Sequence, residues 1–114
     1  MRFLRGHVYV ADLEPVRGSE QGRTRPVIVL SNDAIHATSS VIIIAPLTSA
    51  SNILRLYRTD VFVAAPEAGL SVDSVVMLSQ IRTITKSRIT KELGALSAAT
   101  LSLIEDAARF ALDL

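Results

Sequence analysis

The chain has 114 residues, of which 49% are hydrophobic, which is enough for one domain (residues 1–114) with its own apolar core. It contains no cysteine, which excludes disulfides and thiolate metal ligands and is typical of proteins in the reducing cytoplasm. The longest apolar run, 41–47, is far shorter than the roughly 20 residues that cross a bilayer, so no membrane association is expected.

The net charge of +1 is unevenly distributed along the sequence. Residues 55–91 carry a net charge of +3, and residues 92–114 carry −3. Nucleic-acid affinity depends largely on local neutralisation of phosphates, so this distribution permits RNA binding on one basic face without indicating it. With three Phe, two Tyr and no Trp, broad stacking of bases on aromatic rings is not expected.

The first third of the chain predicts two strands separated by a polar loop. Residues 7–13 are predicted as a strand, followed by a loop over 14–25 that contains two glycines and three arginines. The second strand is predicted at 26–32, where Pro26 suits the first position because it cannot donate to a ladder. Arg25 is therefore expected at the boundary between a loop and a rigid strand, a place favoured by catalytic and binding residues.

A short helix and a third strand are predicted next. Asn32 is a suitable N-cap for a helix over 34–38. The run at 41–45 is the most β-prone of the chain, and Pro46 is expected to end it. Residues 48–52 are then predicted as a polar loop.

Later strands are predicted at 57–64, 74–81 and near 88–93, with a turn at 66–69. After Ser97, a suitable N-cap, apolar residues recur at helical spacing and predict a terminal amphipathic helix of about four turns. Several short apolar strands and one terminal helix predict a mainly β domain, a small curled sheet or barrel with short helices elsewhere and the C-terminal helix packed on it.

Five segments, in this order, are similar to motifs of the MazF/PemK toxins. They are RGHVYVADL at 5–13, GSEQG at 18–22, RPVIV at 25–29, APLTS at 45–49 and QIRTI at 80–84. The resemblance implies an SH3-like barrel of the CcdB/MazF type and a homodimer with RNA along the shared groove. It also implies a ribosome-independent, sequence-specific endoribonuclease of a bacterial toxin–antitoxin pair. The cognate antitoxin is expected to carry a disordered, often acidic C-terminal tail.

RNA cleavage by attack of the ribose 2′-OH on the adjacent phosphorus needs no metal and no cofactor, and none is predicted. It requires stabilisation of phosphorane oxygens, for which the planar, permanently charged guanidinium of Arg25 is suited. A threonine hydroxyl such as Thr48 can orient a phosphate oxygen or relay a proton. From spacing alone, Arg25 as a surface ion pair and Thr48 as a turn cap remain alternatives. The resemblance implies that Arg25 and Thr48 are the catalytic pair.

Other family positions are expected to contact the substrate, namely Ser19, Glu20, Gln21, Ser49, Gln80 and Arg82. Glu20 is a candidate general base or a solvated loop charge. Gln80 and Arg82 contact RNA or close the barrel by hydrogen bonding. The Kid/PemK branch has an Arg-x-Asp pair where this chain has Met77-Leu78-Ser79, which places the chain in the MazF branch and leaves the general base open.

Other chemistries are disfavoured by the sequence. The two histidines, His7 and His36, lie on different predicted elements, and no group of residues has the spacing of metal ligands. The segment 18–22 lacks the lysine of a P-loop. Two non-enzymatic hypotheses remain beside the nuclease: a toxin of the CcdB type, which traps DNA gyrase, and a catalytically inactive binding module.

Overall fold

A computed structural model describes residues 1–14, 18–20 and 23–114. These residues form a seven-stranded antiparallel sheet and two α-helices, joined by loops and 3-10 turns. The strands are β1 (His7–Asp12), β2 (Thr24–Val29), β3 (Val41–Ser49), β4 (Asp60–Val63), β5 (Ser74–Met77), β6 (Arg82–Thr85) and β7 (Ile89–Ala95). The helices are α1 (Asp33–His36) and α2 (Ala98–Leu112).

The central strand of the sheet is β3, which contacts three other strands. The strand order is β4-β5-β3-β2-β1-β7, and β6 pairs with the first half of β3. One side of β3 is therefore divided, with Val41–Ile44 paired to β6 and Leu47–Ser49 paired to β5. Among the described residues no ladder joins β4 or β6 to β7, so the mainly β class is confirmed but closure into a barrel is not.

Alternation of side chains along the strands produces two buried clusters on the two faces of the sheet. Val27, Val29, Ile42 and Ile44 belong to one cluster, with Tyr9 and Ile84 among the other members. Ile28, Ala45 and Leu47 belong to the second cluster, which also holds Ile104 and Ala107 of α2. The predicted packing of the terminal helix on the sheet is thus confirmed.

The boundaries of α2 follow the capping signals of the sequence. The Ser97 hydroxyl accepts a hydrogen bond from the backbone N–H of Thr100 at 3.1 Å, which begins the helix. Asp113, at φ 57°, ends it in the left-handed conformation, where its N–H reaches the carbonyl of Phe110. The 15 residues between these caps agree with the predicted four turns.

Two predictions about β3 are wrong, namely that Pro46 ends the strand and that a loop begins at residue 48. β3 continues through Pro46 to Ser49, so Thr48 lies in a strand and not in a loop. Pro46 pairs with Val27 on β2 but with nothing on the side shared by β5 and β6, so its missing N–H breaks no ladder there.

The strand predicted at 74–81 is divided into two strands. β5 ends at Met77, a 3-10 turn covers Leu78–Gln80, and β6 follows at Arg82. In the turn, the Leu78 side chain is buried and its N–H bonds to the carbonyl of Thr59 at 2.8 Å. The predicted strand at 57–64 is also shorter, since 57–60 form a turn closed by Asp60.

Candidate active site

The ends of β2 and β3 bring Arg25 and Thr48 together. The two strands pair with Ile28 opposite Ala45 and Val27 opposite Pro46. Continuing this register by two residues along each strand places Arg25 opposite Thr48. The guanidinium confirms the proximity, because Nη1 of Arg25 donates to the carbonyl oxygen of Leu47 at 3.3 Å. The site therefore has a rigid base of two neighbouring strands.

The electrostatic surroundings of Arg25 disfavour its own charge. Burial lowers the pKa of Arg25, and the positive charge of Arg23 lowers that pKa further. Arginine stays protonated at any physiological pH, so the consequence is a destabilised cation and not a proton donor. The negative charge of a bound phosphate stabilises the guanidinium cation and so offsets both its burial and its repulsion by Arg23. The N-terminal end of β2 is therefore a favourable anion site.

Thr48 is held in place on both sides. It lies in β3 opposite Val75 of β5, and only 8% of its surface is exposed. Its Oγ1 accepts a hydrogen bond from Nδ2 of Asn52 at 3.0 Å. The capping role considered for Thr48 belongs instead to Ser49, whose hydroxyl accepts from the N–H of Ser51 in the 3-10 turn that follows β3.

Arg82 carries a buried donor without a partner. Arg82 lies on β6 opposite Ile44, so the two side chains share one face of the sheet. Thr48 is four residues along β3 from Ile44, a separation of about 13 Å at strand spacing. Nη1 of Arg82 is buried and has no hydrogen-bond partner among the described residues. Unsatisfied buried donors are rare, so this atom is a candidate contact for a ligand oxygen.

The other predicted substrate contacts lie on three different segments of the chain. Gln80 is half-buried at the end of the 3-10 turn, two residues before Arg82. Ser49 is half-buried next to Thr48, and its Oγ bonds to Oγ of Ser51 at 2.9 Å. Ser19 and Glu20 are exposed in the β1–β2 connection. The prediction for Gln21 lies outside the described residues.

The base of the β1–β2 connection is fixed by contacts that the sequence did not predict. The N–H of Leu13 bonds to the carbonyl of Arg23 at 3.0 Å, and the N–H of Arg23 donates to Oε1 of Glu14 at 2.6 Å. Arg88 donates from Nη1 to the carbonyl oxygens of Asp12 and Glu14. Arg88 follows β6 in sequence by several residues, and no motif signals this contact.

The two histidines have separate partners. Nδ1 of His7 lies 2.7 Å from Oε2 of Glu92, while the buried ring of His36 bonds to Ser31 and to the carbonyl of Phe3. Within the described ranges, no three His, Asp or Glu side chains are grouped as metal ligands. In the same part of the chain, no helix has the length and hydrophobicity required to traverse a bilayer.

Comparisons with known proteins identify the family of the chain. The family model of the PemK-like, MazF-like toxins of type II toxin–antitoxin systems matches residues 4–112. Endoribonuclease MazF9 of Mycobacterium tuberculosis is 39% identical over 115 residues, which covers 96% of this chain and 96% of the relative.

Solved structures give the same result. The crystal structure of MazF from Deinococcus radiodurans superposes with a TM-score of 0.82 at 27% identity, covering 96% of both chains. An endoribonuclease from a mycobacterial species, solved in complex with its cognate antitoxin, superposes with a TM-score of 0.79 at 26% identity, covering 97% of this chain and 95% of that one. Because the family model and these relatives align over nearly the whole sequence, the chain belongs to the family of PemK-like, MazF-like toxins of type II toxin–antitoxin systems.

Proposed function

We propose that the protein is a cytoplasmic, ribosome-independent endoribonuclease that cuts single-stranded mRNA at a specific sequence without a metal ion. The observation that carries the proposal is the contact of the Arg25 guanidinium with the Leu47 carbonyl, which holds a half-buried cation next to the buried residue Thr48. The name of the relative at 39% identity, an endoribonuclease, supports the same activity.

In the proposed reaction the 2′-oxygen of a ribose attacks the adjacent phosphorus. The bond from phosphorus to the 5′-oxygen of the next nucleotide breaks, which leaves a 2′,3′-cyclic phosphate and a 5′-OH. The 2′ proton passes to a general base, and the leaving oxygen acquires a proton. Arg25 stabilises the additional negative charge on the nonbridging oxygens, and Thr48 donates a hydrogen bond to one of them.

The neighbouring residues are assigned to binding. Arg82 offers to a phosphate or base oxygen its Nη1, which has no partner in the described part of the chain, and Gln80 precedes it by two residues. Ser19, Glu20 and Gln21 approach the RNA from the β1–β2 connection, together with Ser49 from the end of β3. Glu20 is the candidate general base, since a carboxylate placed within hydrogen-bond reach of the 2′-OH can accept its proton.

The proposed assembly is a homodimer that an antitoxin inhibits through a disordered C-terminal tail. Large apolar side chains are exposed on and around α2 and β4, including Phe62, Leu103 and Phe110, and a second copy is proposed to cover such surface. The solved complex of a similar endoribonuclease with its cognate antitoxin supports the second partner.

The test uses purified protein and a mixture of RNAs, free of ribosomes, in the presence of EDTA. We expect cleavage at a short recurring sequence, with fragments that polynucleotide kinase labels without prior phosphatase treatment. Fragments that label only after phosphatase contradict the proposed chemistry. Intact RNA together with inhibition of DNA supercoiling by gyrase indicates a toxin of the CcdB type instead.

A further inference from the structure

Asn52 contacts the proposed catalytic hydroxyl although it lies outside the motifs of the family resemblance. It closes the 3-10 turn Ala50–Asn52, which follows β3 directly. The turn reverses the chain enough for Nδ2 of Asn52 to reach Oγ1 of Thr48, four residues earlier, at 3.0 Å. Thr48 therefore has a fixed hydrogen-bond donor on one side.

The hydrogen-bonding capacity of a hydroxyl determines what this contact does. A threonine hydroxyl has one donor and two acceptor positions. The amide N–H of Asn52 occupies one acceptor position, so the Thr48 proton is directed away from Asn52 and remains available as a donor. A hydrogen bond accepted by the hydroxyl oxygen also polarises the O–H group, which strengthens the hydrogen bond that the hydroxyl itself donates.

The backbone of the turn does not depend on the Asn52 side chain. The N–H of Ala50 bonds to the carbonyl of Asp73 at 2.8 Å, and the N–H of Ile53 bonds to the carbonyl of Ala50 at 3.1 Å. The Ser49 hydroxyl caps the same turn. Asn52 itself is exposed, so replacing its side chain is expected to leave the fold and its stability nearly unchanged.

We infer that Asn52 is a positioning residue for Thr48: its amide N–H orients the hydroxyl so that Thr48 donates its proton to a phosphate oxygen of the RNA. The inference rests on the proposed function, since it assigns Asn52 a role through Thr48. It also assigns Thr48 the role of donor to the phosphate and not that of general base. The chemical step, and not RNA binding, should depend on Asn52.

Two substitutions test whether Asn52 acts as a hydrogen-bond donor to Thr48 or only packs against it. Asn52→Ala removes the donor, and the single-turnover cleavage rate should fall about tenfold, the scale of one hydrogen bond. Asn52→Asp presents only acceptors, so the Thr48 proton turns toward the carboxylate and a negative charge faces the phosphate. The rate should then fall further, roughly 100-fold. RNA affinity should change less than about threefold in Asn52→Ala, because the contact is internal to the protein.

Matched variants control for charge and for indirect effects. Leu54→Asp adds the same charge two residues beyond the turn, at a fully exposed side chain, and its rate should fall by about threefold or less, since exposed charges are screened. In a Thr48→Val background, Asn52→Ala should cause no further loss. The Asn52 side-chain amide protons, observed by NMR, should exchange faster in Thr48→Val than in the wild type, which reports the contact without any activity.

The outcomes distinguish this inference from the proposed function. Cleavage by Asn52→Asp at the wild-type rate, or equal losses from Asn52→Ala with and without Thr48, overturns the positioning role while the nuclease stands. Unchanged exchange of the Asn52 amide in Thr48→Val overturns the contact. A wild-type protein that does not cut RNA overturns the proposed function and the catalytic part of this inference together, whatever the NMR result.

Discussion

Replacement of Arg25 by alanine is the most direct test of the site. Arg25 is half-buried at the end of β2, and its charge is already destabilised by burial and by Arg23. If it stabilises the phosphorane, its loss should remove roughly 3–4 kcal/mol of transition-state stabilisation, as for one preorganised donor. At about 1.4 kcal/mol per tenfold, the cleavage rate should fall several-hundred-fold. Arg25→Lys should restore little, because an ammonium cannot form two parallel hydrogen bonds.

The effect on folding should be small by comparison. The Arg25 side chain donates a hydrogen bond to a backbone carbonyl at 3.3 Å, and such a bond stabilises by about 0.5–1.5 kcal/mol. A domain of this size should then lose only several degrees in Tm. Arg109→Ala is the control, since this exposed arginine of α2 lies outside the site and pairs only locally with Asp106 at 3.3 Å.

The assay is single-turnover cleavage of a short RNA that contains the recognised sequence, with thermal melts of each variant in parallel. Arg109→Ala should cut at the wild-type rate and melt close to the wild type. A folded Arg25→Ala protein that cuts RNA at a near-normal rate refutes the assignment of the site, irrespective of the family.

Further predictions concern the second catalytic residue, the buried guanidinium and the partners. Thr48→Ala should slow cleavage, whereas Thr48→Ser should retain much of the rate. If both residues act on one phosphate, the rate losses of Thr48→Ala and Arg25→Ala should be non-additive in the double variant, and additive losses contradict this. Arg82→Met removes a buried donor that has no partner among the described residues and keeps the apolar stem, so Tm should stay or rise while RNA affinity falls. Unchanged affinity assigns Arg82 to structure. Sedimentation should show a dimer at micromolar concentration, which a stable active monomer excludes. Binding of the antitoxin should slow amide hydrogen exchange at 18–20 and 23–25, and full inhibition with unchanged exchange there indicates action at a distance.

Much of the secondary structure, and the choice of candidate site residues, came from local patterns. The β-branched run at 41–45 predicts a strand in almost any surroundings, and Ser97 with the helical spacing after it predicts α2. A strand in the region of Pro26 was also predictable from local backbone chemistry, but β2 begins two residues earlier, at Thr24, so Arg25 lies within the strand and not at its boundary with the loop. The motifs around Arg25 and Thr48 supplied the family, and the family supplied the pair.

The tertiary structure decided the details that depend on which strands are neighbours. Pro46 is tolerated inside β3 only because β5 and β6 leave a gap opposite it, and this gap exists because the chain turns at Leu78–Gln80. The same pairing makes Thr48 a buried strand residue, brings the Arg25 guanidinium to the carbonyl of the preceding Leu47, and leaves Nη1 of Arg82 without a hydrogen-bond partner among the described residues. The contact of Asn52 with Thr48 arises from a chain reversal, and that of Arg88 with Glu14 from the pairing of β7 with β1; no sequence spacing reveals either. Local propensity determines which segments are strands, but long-range register determines which side chains meet.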